Sequence, residues 1–252
     1  MLHQMKPIKL YCTIVLSALA VCSSTSFAYL EKKIENSQPK ITITSPLNDD
    51  RFSWNAIIRY NIKITDNEDG SSEYDEINAK EVLLEVCYLK DASKVKNYLA
   101  GKASMIKENK GLALLRNSDC FTCHASKNKL IGPSFDLIAK LYPVNKNSLE
   151  RLTKKVLNGS TGIWGKVAMP AHPAMEKDEV REMISWILTS NSNPDISYYP
   201  GIEGAFRTKE KTAKATGKEV LVITASYTDH GEKGSAQNKK YGQHSILLKA
   251  AN

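Results

Sequence analysis

Apolar residues alternate with polar ones near both ends of this chain and recur with a helical period between them. The alternating runs predict β-strands, at residues 41–44, 56–62, 81–86, 204–207, 219–227 and 245–248. Apolar positions at i, i+3 and i+4 predict helices, beginning near Gly111 and continuing at Phe135–Leu141, Ser148–Leu157 and along the stripe Val180–Leu188. The predicted fold class is therefore α + β and multidomain, with an all-α domain flanked by β structure.

Breaks in this pattern predict four segments. They are a signal peptide at residues 1–28, a β-sandwich module at 29–100, a helical domain at 101–195 and a β segment at 196–252. Because three strands alone are marginal for an independent domain, we expect residues 196–252 to pack on the N-terminal module. The helical domain would then be inserted into one β domain. A separate C-terminal module is the alternative.

One short motif in the helical segment carries metal chemistry. Cys120, Cys123 and His124 form the pattern C-x-x-C-H, which is used for covalent attachment of c-type haem. Thiols at i and i+3 lie on one face of a helical turn, so both can reach one edge of the ring while the adjacent imidazole binds the iron. A zinc ribbon would need a second cysteine pair, and none follows in the sequence. We expect one covalently attached haem c.

Met169 is the leading candidate for the second axial ligand of the iron, opposite His124. It lies in a Gly/Pro-rich stretch that predicts a loop, where a methionine has no evident core to fill. A thioether opposite an imidazole raises the reduction potential and suits electron transfer. His172 and Met175 are the alternatives, and His172 would give a bis-histidine iron of lower potential.

The N-terminal residues predict export. Lys6 and Lys9 precede an apolar run from Tyr11 to Cys22, and Ser26-Phe27-Ala28 offers small residues at a cleavage site. We expect cleavage after Ala28 and a periplasmic protein, because the apolar run is short for a membrane span. A lipid on Cys22, which would give membrane association, is the alternative.

Charge is unevenly distributed along the chain. Residues 29–100 carry 10 basic and 13 acidic side chains (net −3), residues 101–195 carry 14 and 9 (net +5), and residues 196–252 carry 9 and 5 (net +4). Export argues against nucleic acid as the partner, whereas a basic face near a haem edge can steer an acidic redox protein. The candidates for that contact are Lys127, Lys129 and Lys166; a solvated lysine-rich surface is the alternative.

The order and spacing of the motifs in the middle segment resemble the short bacterial class I monohaem cytochromes c. The matching positions are Gly111, Cys120–His124, Ile131–Phe135, Ile138–Tyr142, Asn158–Ser160, Gly162–Gly165, Met169-Pro170 and Trp186. The resemblance implies an electron carrier and not an enzyme. It further implies that the Pro133 carbonyl binds the second nitrogen of His124, that Trp164 donates its indole N–H to a haem propionate and that Lys155 is a basic propionate partner. His172 departs from the family pattern.

The flanking β segments resemble, more weakly, the Ig-like, PKD-type modules found beside cytochrome c domains in exported bacterial oxidoreductases. The segment Ala225-Ser226-Tyr227-Thr228-Asp229 is similar to segments that follow cytochromes in proteins resembling quinoprotein sugar dehydrogenases. The expected partner is therefore a redox protein, either a quinoprotein-type dehydrogenase or a terminal oxidase.

An acidic stretch in the N-terminal β segment has a second metal interpretation. Asn67, Asp69, Gly70 and Glu76 match positions three, five, six and twelve of a calcium-loop template. Position one is Thr65, and the flanks look like strands, so we interpret the stretch as an acidic turn and keep calcium as the alternative. His230 and His244 could bind a metal, but loop histidines are more often surface residues.

Together these features predict an exported monohaem c-type cytochrome that transfers single electrons for a periplasmic dehydrogenase or a respiratory chain. One alternative is a peroxidase-like haem enzyme, which needs an open iron site or a second haem. The single C-x-x-C-H argues against a two-haem peroxidase. The other alternative is a glycan- or partner-binding protein in which the haem serves as a sensor.

Overall fold

The computed structural model describes residues 35–105, 107–189, 193–232 and 237–251, and the predicted signal peptide with Cys22 lies outside these ranges. Within them, no helix has the length and apolar character that a membrane crossing requires. The first elements are β1 (Lys40–Ser45), β2 (Arg51–Phe52), β3 (Ile57–Asp66), β4 (Gly70–Ser71) and β5 (Leu83–Leu89). The helical segment holds α1 (Val95–Ala103), α2 (Lys110–Asn117), α3 (Cys120–Cys123), α4 (Phe135–Leu141), α5 (Lys146–Asn158), β6 (Ser160–Gly162), β7 (Gly165–Met169) and α6 (Lys177–Thr189). The last strands are β8 (Ile196–Pro200), β9 (Glu203–Arg207), β10 (Val220–Thr228) and β11 (Tyr241–Ala250).

Strands from the two ends of the chain share sheets. In the described residues, one sheet has the order β1-β3-β4 with β9 also paired to β3, and a second has the order β2-β11-β10-β5-β8. The β3–β9 pair and the β5–β10 pair are both antiparallel. Each therefore joins a strand that precedes the helical segment to one that follows it.

Alternation along β5 explains how the second sheet has two buried faces. Leu84 and Val86 belong to the core between the two sheets, whereas Leu83 belongs to the core of the helical segment. Glu85 is buried on the same face as Leu83, because side chains two residues apart share a face of a strand. The sheet thus rests on the other sheet with one face and on the helices with the other.

Three helices of the middle segment, α2, α4 and α5, begin at side-chain caps. Asn109 accepts hydrogen bonds from the first N–H groups of α2, Ser134 caps α4 through the N–H of Leu137, and Asn145 caps α5. Such caps satisfy N–H groups that have no partner within the helix. The apolar stripe of α6 is buried and packs on α2, α4 and α5.

Gly111 permits the closest of these helix contacts. A Cβ atom at this position would lie 2.5 Å from the carbonyl oxygen of Glu182 and 2.6 Å from Cβ of Trp186. Both distances are below van der Waals contact, so only glycine lets α2 approach α6 this closely.

Some elements differ from the sequence prediction. Helix α1 and the short strands β2, β4 and β8 were not predicted, and α1 crosses the boundary placed after residue 100. Helix α1 buries only Val95 and carries no apolar stripe, so periodicity gives no signal for it. Met169 ends strand β7 of a β6–β7 hairpin and does not lie in a loop.

Candidate functional site: an apolar cleft beside the C-x-x-C-H turn

A cleft opens in the helical segment between α3, α4, α5, α6 and the β6–β7 hairpin. Its empty volume is about 1340 Å³, including a mouth that is open to solvent. Apolar side chains form most of the wall, among them Leu115, Phe135, Ile138, Leu152, Val180, Met183, Ile184 and Ile187. All seven residues that the sequence singled out also line it: Cys120, Cys123, His124, Pro133, Lys155, Trp164 and Met169.

The two thiols lie on a single helical turn. Helix α3 spans Cys120–Cys123, and the N–H of His124 donates to the carbonyl of Cys120 at 2.9 Å, which closes the turn. Both cysteines are partly buried at the wall of the cleft. Burial raises the pKa of the Cys120 thiol, although a hydrogen bond with Ser118 opposes this effect.

The imidazole of His124 is held by the backbone. Its Nδ1 lies 2.6 Å from the carbonyl oxygen of Pro133. Because a carbonyl can only accept, Nδ1 carries the hydrogen, and the lone pair of the neutral ring is on Nε2. Burial lowers the pKa of His124, with the Pro133 hydrogen bond opposing it, so the ring is neutral as a metal ligand must be. The ring of Phe135 stacks on it at 5.6 Å between centroids.

Gly132 makes this arrangement sterically feasible. A Cβ atom at Gly132 would lie 2.5 Å from Cε1 of His124 and 2.9 Å from Nδ1. Any side chain there would displace the imidazole from its place beside Pro133. The sequence analysis did not identify Gly132 as a site residue, and the Ile-Gly-Pro triplet was the available signal.

The candidates for the second axial ligand occupy different places. Met169 is partly buried and lines the cleft, whereas neither His172 nor Met175 is among the described residues of its wall. His172 instead places Nε2 3.2 Å from Asp119 Oδ1, and its N–H donates to the carbonyl of Val156. The imidazole of His172 thus contacts the residue that precedes α3.

The mouth of the cleft combines apolar and basic residues. Ile131, Ile163 and Val167 line the cleft and are largely exposed, at 56%, 62% and 67%. Lys129 and Lys166 are exposed beside them. We call these five residues the rim; its apolar part was not recognised in the sequence, although large apolar residues outside any helical stripe were a visible signal.

Two other predicted lysines have partners within the chain. Lys127 pairs with Asp136 at 3.4 Å and contacts the carbonyl of Asn193, and burial lowers its pKa. It is therefore committed to internal contacts and does not belong to the rim. Lys155 lies in the cleft wall and donates to the Ser160 hydroxyl at 2.8 Å.

The acidic turn outside the helical segment is held by internal hydrogen bonds. Asp69 accepts from the Tyr227 hydroxyl at 2.7 Å and from the N–H of His230 at 2.9 Å, and Glu76 accepts from the N–H of Ser71 at 2.8 Å. Nδ1 of His244 lies 3.1 Å from the N–H of Ile43. Across the described ranges, no group of three or more His, Cys, Asp and Glu side chains is arranged to hold a metal ion.

The chemistry of the cleft fits a covalently bound haem. An apolar wall suits a flat hydrophobic ring, two thiols on one helical turn suit its attachment, and a neutral imidazole with an oriented Nδ1–H suits the iron. Met169 adds a thioether, and Trp164 and Lys155 add N–H donors, to a wall that also carries Lys129, Ser160, Thr161 and Lys166. The described residues of the cleft thus fit one haem c.

Comparison with known proteins assigns the helical segment to a family. The cytochrome c family model matches residues 109–191. Cytochrome c-551 of Azotobacter vinelandii is 34% identical over 79 residues, which are 31% of this chain and 95% of the relative. Cytochrome c-552 of Hydrogenobacter thermophilus is 32% identical over 91 residues, which are 36% and 90% of the two chains.

A solved structure of cytochrome c552 from Nitrosomonas europaea also matches, at 29% identity and a TM-score of 0.30, covering 31% of this chain and 96% of that one. The matches leave most of the β strands outside. Over residues 109–191 the chain is a member of the class I cytochrome c family, whose proteins bind haem c covalently and carry electrons.

Proposed function

We propose that this protein is an exported electron carrier in which His124 and Met169 hold the iron of one haem c. The observation that carries this proposal is the convergence of two thiols, a backbone-oriented imidazole and a thioether on one apolar cleft. His172, the main rival ligand, is engaged with Asp119.

Each residue has a distinct role in this proposal. Bound haem supplies a one-electron couple between Fe(II) and Fe(III). Cys120 and Cys123 form thioethers with the ring, and Pro133 fixes the orientation and tautomer of His124. Met169 supplies a second neutral ligand that suits both oxidation states. Trp164 and Lys155 would donate hydrogen bonds to the haem propionates.

The apolar wall sets the polarity around the proposed haem site. Leu115, Phe135 and Val180 are almost completely buried beside the cleft, so little water reaches the inner part of the ring. Low polarity around an iron centre is one of the factors that set its reduction potential. No residue of this arrangement is required to act as an acid, base or nucleophile on a substrate.

The rim is the proposed contact for a redox partner. Exposed apolar side chains can be desolvated in a transient complex, and Lys129 and Lys166 can steer an acidic partner at long range. We propose a quinoprotein-type dehydrogenase or a terminal oxidase as that partner. Periplasmic localisation follows from the proposed signal peptide at residues 1–28 and accords with the bacterial c-type relatives.

We further propose that residues 29–100 and 196–252 form one Ig-like β domain, with the cytochrome at 101–195 inserted between its halves. The β3–β9 and β5–β10 pairs support this division, because each pair joins the two halves. A C-terminal module that folds separately, the alternative, would not require strands from the two halves to pair.

Optical spectroscopy of the haem-loaded protein tests the ligand assignment. Oxidised and dithionite-reduced spectra of the parent are compared with those of Met169→Ala, His172→Ala and the control Met175→Ala. A His/Met iron gives a weak band near the red end of the oxidised spectrum, and we expect only Met169→Ala to lose it. If the band is absent from the parent or survives in Met169→Ala, the assignment is wrong. An open iron site, shown by fast binding of an external ligand to the parent, would contradict the electron-carrier proposal itself.

A further inference from the structure

Aromatic rings form a continuous series from the haem-binding imidazole into the β sheet. The rings of His124 and Phe135 are stacked with centroids 5.6 Å apart. Phe135 meets Trp186 of α6 edge to face at 6.5 Å, and Trp186 meets Tyr198 of β8 at 5.3 Å. These separations lie in or near the range of direct aromatic contact. Tyr198 lies outside the segment that matches the cytochrome c family model.

Trp186 and Tyr198, the last two rings of this series, line a second cavity, which lies between the helices and the second sheet. The residues that line it come from α1, α2, α6, β5, β8, β10 and β11, and from Met105, Glu108 and Asn109 between α1 and α2. Of the described residues, none lines both this cavity and the haem cleft. Met105 lines this cavity and is 38% exposed, so the cavity wall reaches solvent at a residue that does not belong to the rim.

A polar cluster closes the inner end of the second cavity. Glu85 is buried and accepts hydrogen bonds from the Tyr98 hydroxyl and from Lys102 Nζ. Burial, together with the nearby Glu85 carboxylate, raises the pKa of the Tyr198 phenol, which stays protonated. The tyrosine at the end of the ring series therefore shares its cavity with a buried carboxylate that Tyr98 and Lys102 hold in place.

We propose that His124, Phe135, Trp186 and Tyr198 form a second electron route, which connects the haem to an electron port at the cavity beside Met105. This inference rests on the proposed electron-carrier function. A one-electron reductant at the port loses one electron, and the iron passes from Fe(III) to Fe(II). The four side chains start and end neutral, and no bond or proton changes place.

Packing explains why the electron would follow these rings. Electron tunnelling decays more slowly through atoms in contact than across gaps, and the rings of this series contact one another from His124 to Tyr198. Phe135 and Trp186 are both nearly inaccessible to water. The competing explanation is that the rings only fill space. Removal of the Tyr198 ring slows haem reduction from the cavity if the rings carry the electron, and leaves that rate unchanged if they only fill space.

A photochemical experiment separates them. A ruthenium polypyridyl complex is attached to Met105→Cys of the holoprotein, and flash photolysis measures the rate of haem reduction. Cys87, a free cysteine buried in β5, is replaced by alanine so that it cannot take the label. We expect Tyr198→Leu to slow the reduction severalfold and Tyr198→Phe, which keeps the ring, to leave it near the parent rate. Tyr199→Leu is the matched control, because this neighbour on β8 stacks on Phe206 and not on Trp186.

Further readouts distinguish the route from a structural effect. The haem reduction potential, the oxidised spectrum and the unfolding midpoint should be alike in Tyr198→Leu and Tyr199→Leu. Trp186→Leu is a second variant of the route, and it should slow haem reduction at least as much as Tyr198→Leu does. Equal rates in Tyr198→Leu and the parent overturn the route. A second label at Lys129→Cys on the rim should reduce the haem at the same rate with or without Tyr198. If the rim label cannot reduce the haem, the electron-carrier proposal fails, and the route fails with it.

Discussion

The β sheets and the helical segment bury their apolar side chains in different ways. Between the sheets, residues such as Ile64, Leu84 and Leu221 are fully inaccessible and surrounded by other side chains of the chain. In the helical segment, the side chains around α3 line an open cleft, and Ile163 and Val167 remain largely exposed. The difference teaches that the β region is complete as a polypeptide, whereas the helical segment is built around a group that the chain must acquire.

We expect the largest difference between the two regions, measured as amide protection, when the haem cannot be attached. In Cys120→Ala/Cys123→Ala, the cleft keeps its apolar wall but cannot retain the ring, so we expect amide protection to be lost in α5 and the β6–β7 hairpin and kept in β5 and β10. Hydrogen exchange read by mass spectrometry measures both at once. Cys87→Ala, in β5, is the control and should keep the haem. Undiminished protection of α5 in the double variant would show that the helical segment is also complete without haem.

The contact between the two regions contains a buried ion pair. Arg116 of α2 is 4% exposed, lies 2.8 Å from a Glu108 oxygen and also donates to the carbonyl of Lys80. Arg116→Ala leaves a buried carboxylate without its partner, and we expect a loss of about 3–5 kcal/mol in the free energy of unfolding. Urea titration of the holoprotein measures it. Arg181→Ala removes a more exposed pair with Glu150 and should cost less than about 1 kcal/mol. Equal losses in the two variants would contradict the expectation that the buried Arg116 pair costs more to break.

Gly132 tests how tightly the helical segment is fitted around His124. Gly132→Ala places a methyl group against the imidazole and should destabilise the holoprotein by about 1–3 kcal/mol, as overpacking does. The oxidised spectrum should change with it, because His124, the proposed axial ligand, moves. Gly101→Ala is the control: a Cβ atom meets nothing within 4 Å there, and alanine in a helix should stabilise by about 0.5–1 kcal/mol. A Gly132→Ala spectrum identical to the parent's would contradict the steric account.

The smallest expected effect concerns a histidine in the β region. Burial alone would lower the pKa of His230, but Glu81 at 3.0 Å and Asp69 at 3.1 Å outweigh it and raise the pKa. Because the folded pKa lies above the unfolded value of about 6.5, the stabilisation is fully present below that pH and is lost as pH rises through the folded pKa. The side chain is 54% exposed, so solvent screening limits the gain to less than about 1 kcal/mol.

Comparison of the parent with His230→Gln measures this contribution. The difference in the free energy of unfolding should be larger near pH 5 than near pH 9, two conditions that bracket the ordinary histidine pKa of about 6.5. The haem spectrum should not change, since His230 belongs to the β region. A difference that is constant with pH, or that grows toward alkaline pH, would contradict the prediction.

Local sequence patterns were sufficient for features that depend on neighbouring residues. Helix α4 has the predicted bounds Phe135–Leu141, because a serine cap and an apolar period both lie within a few residues. The C-x-x-C-H turn is equally local. Helix α1 was missed because it has no apolar stripe, and β8 because it is short and follows α6 closely.

Features that depend on distant partners could not be deduced from periodicity. The contact of His172 with Asp119, the commitment of Lys127 to Asp136 and the ring contact of Trp186 with Tyr198 each join different elements. The burial of Glu85 on a strand that reads as apolar also depends on Lys102 and Tyr98 from α1. The seven residues that the sequence singled out thus line one cleft, whereas the contacts around them were not predicted.

The pairing of β5 with β10 also determines when the second sheet can form during synthesis. During synthesis β5 emerges early, but its neighbours β8 and β10 appear only after the whole helical segment has been made. The sheet cannot close before then, because β5 has no partner on either side. The turn with Cys120 and Cys123 thus emerges while the β region is still incomplete. The helical segment can therefore fold and acquire its haem before the last strands close the second sheet.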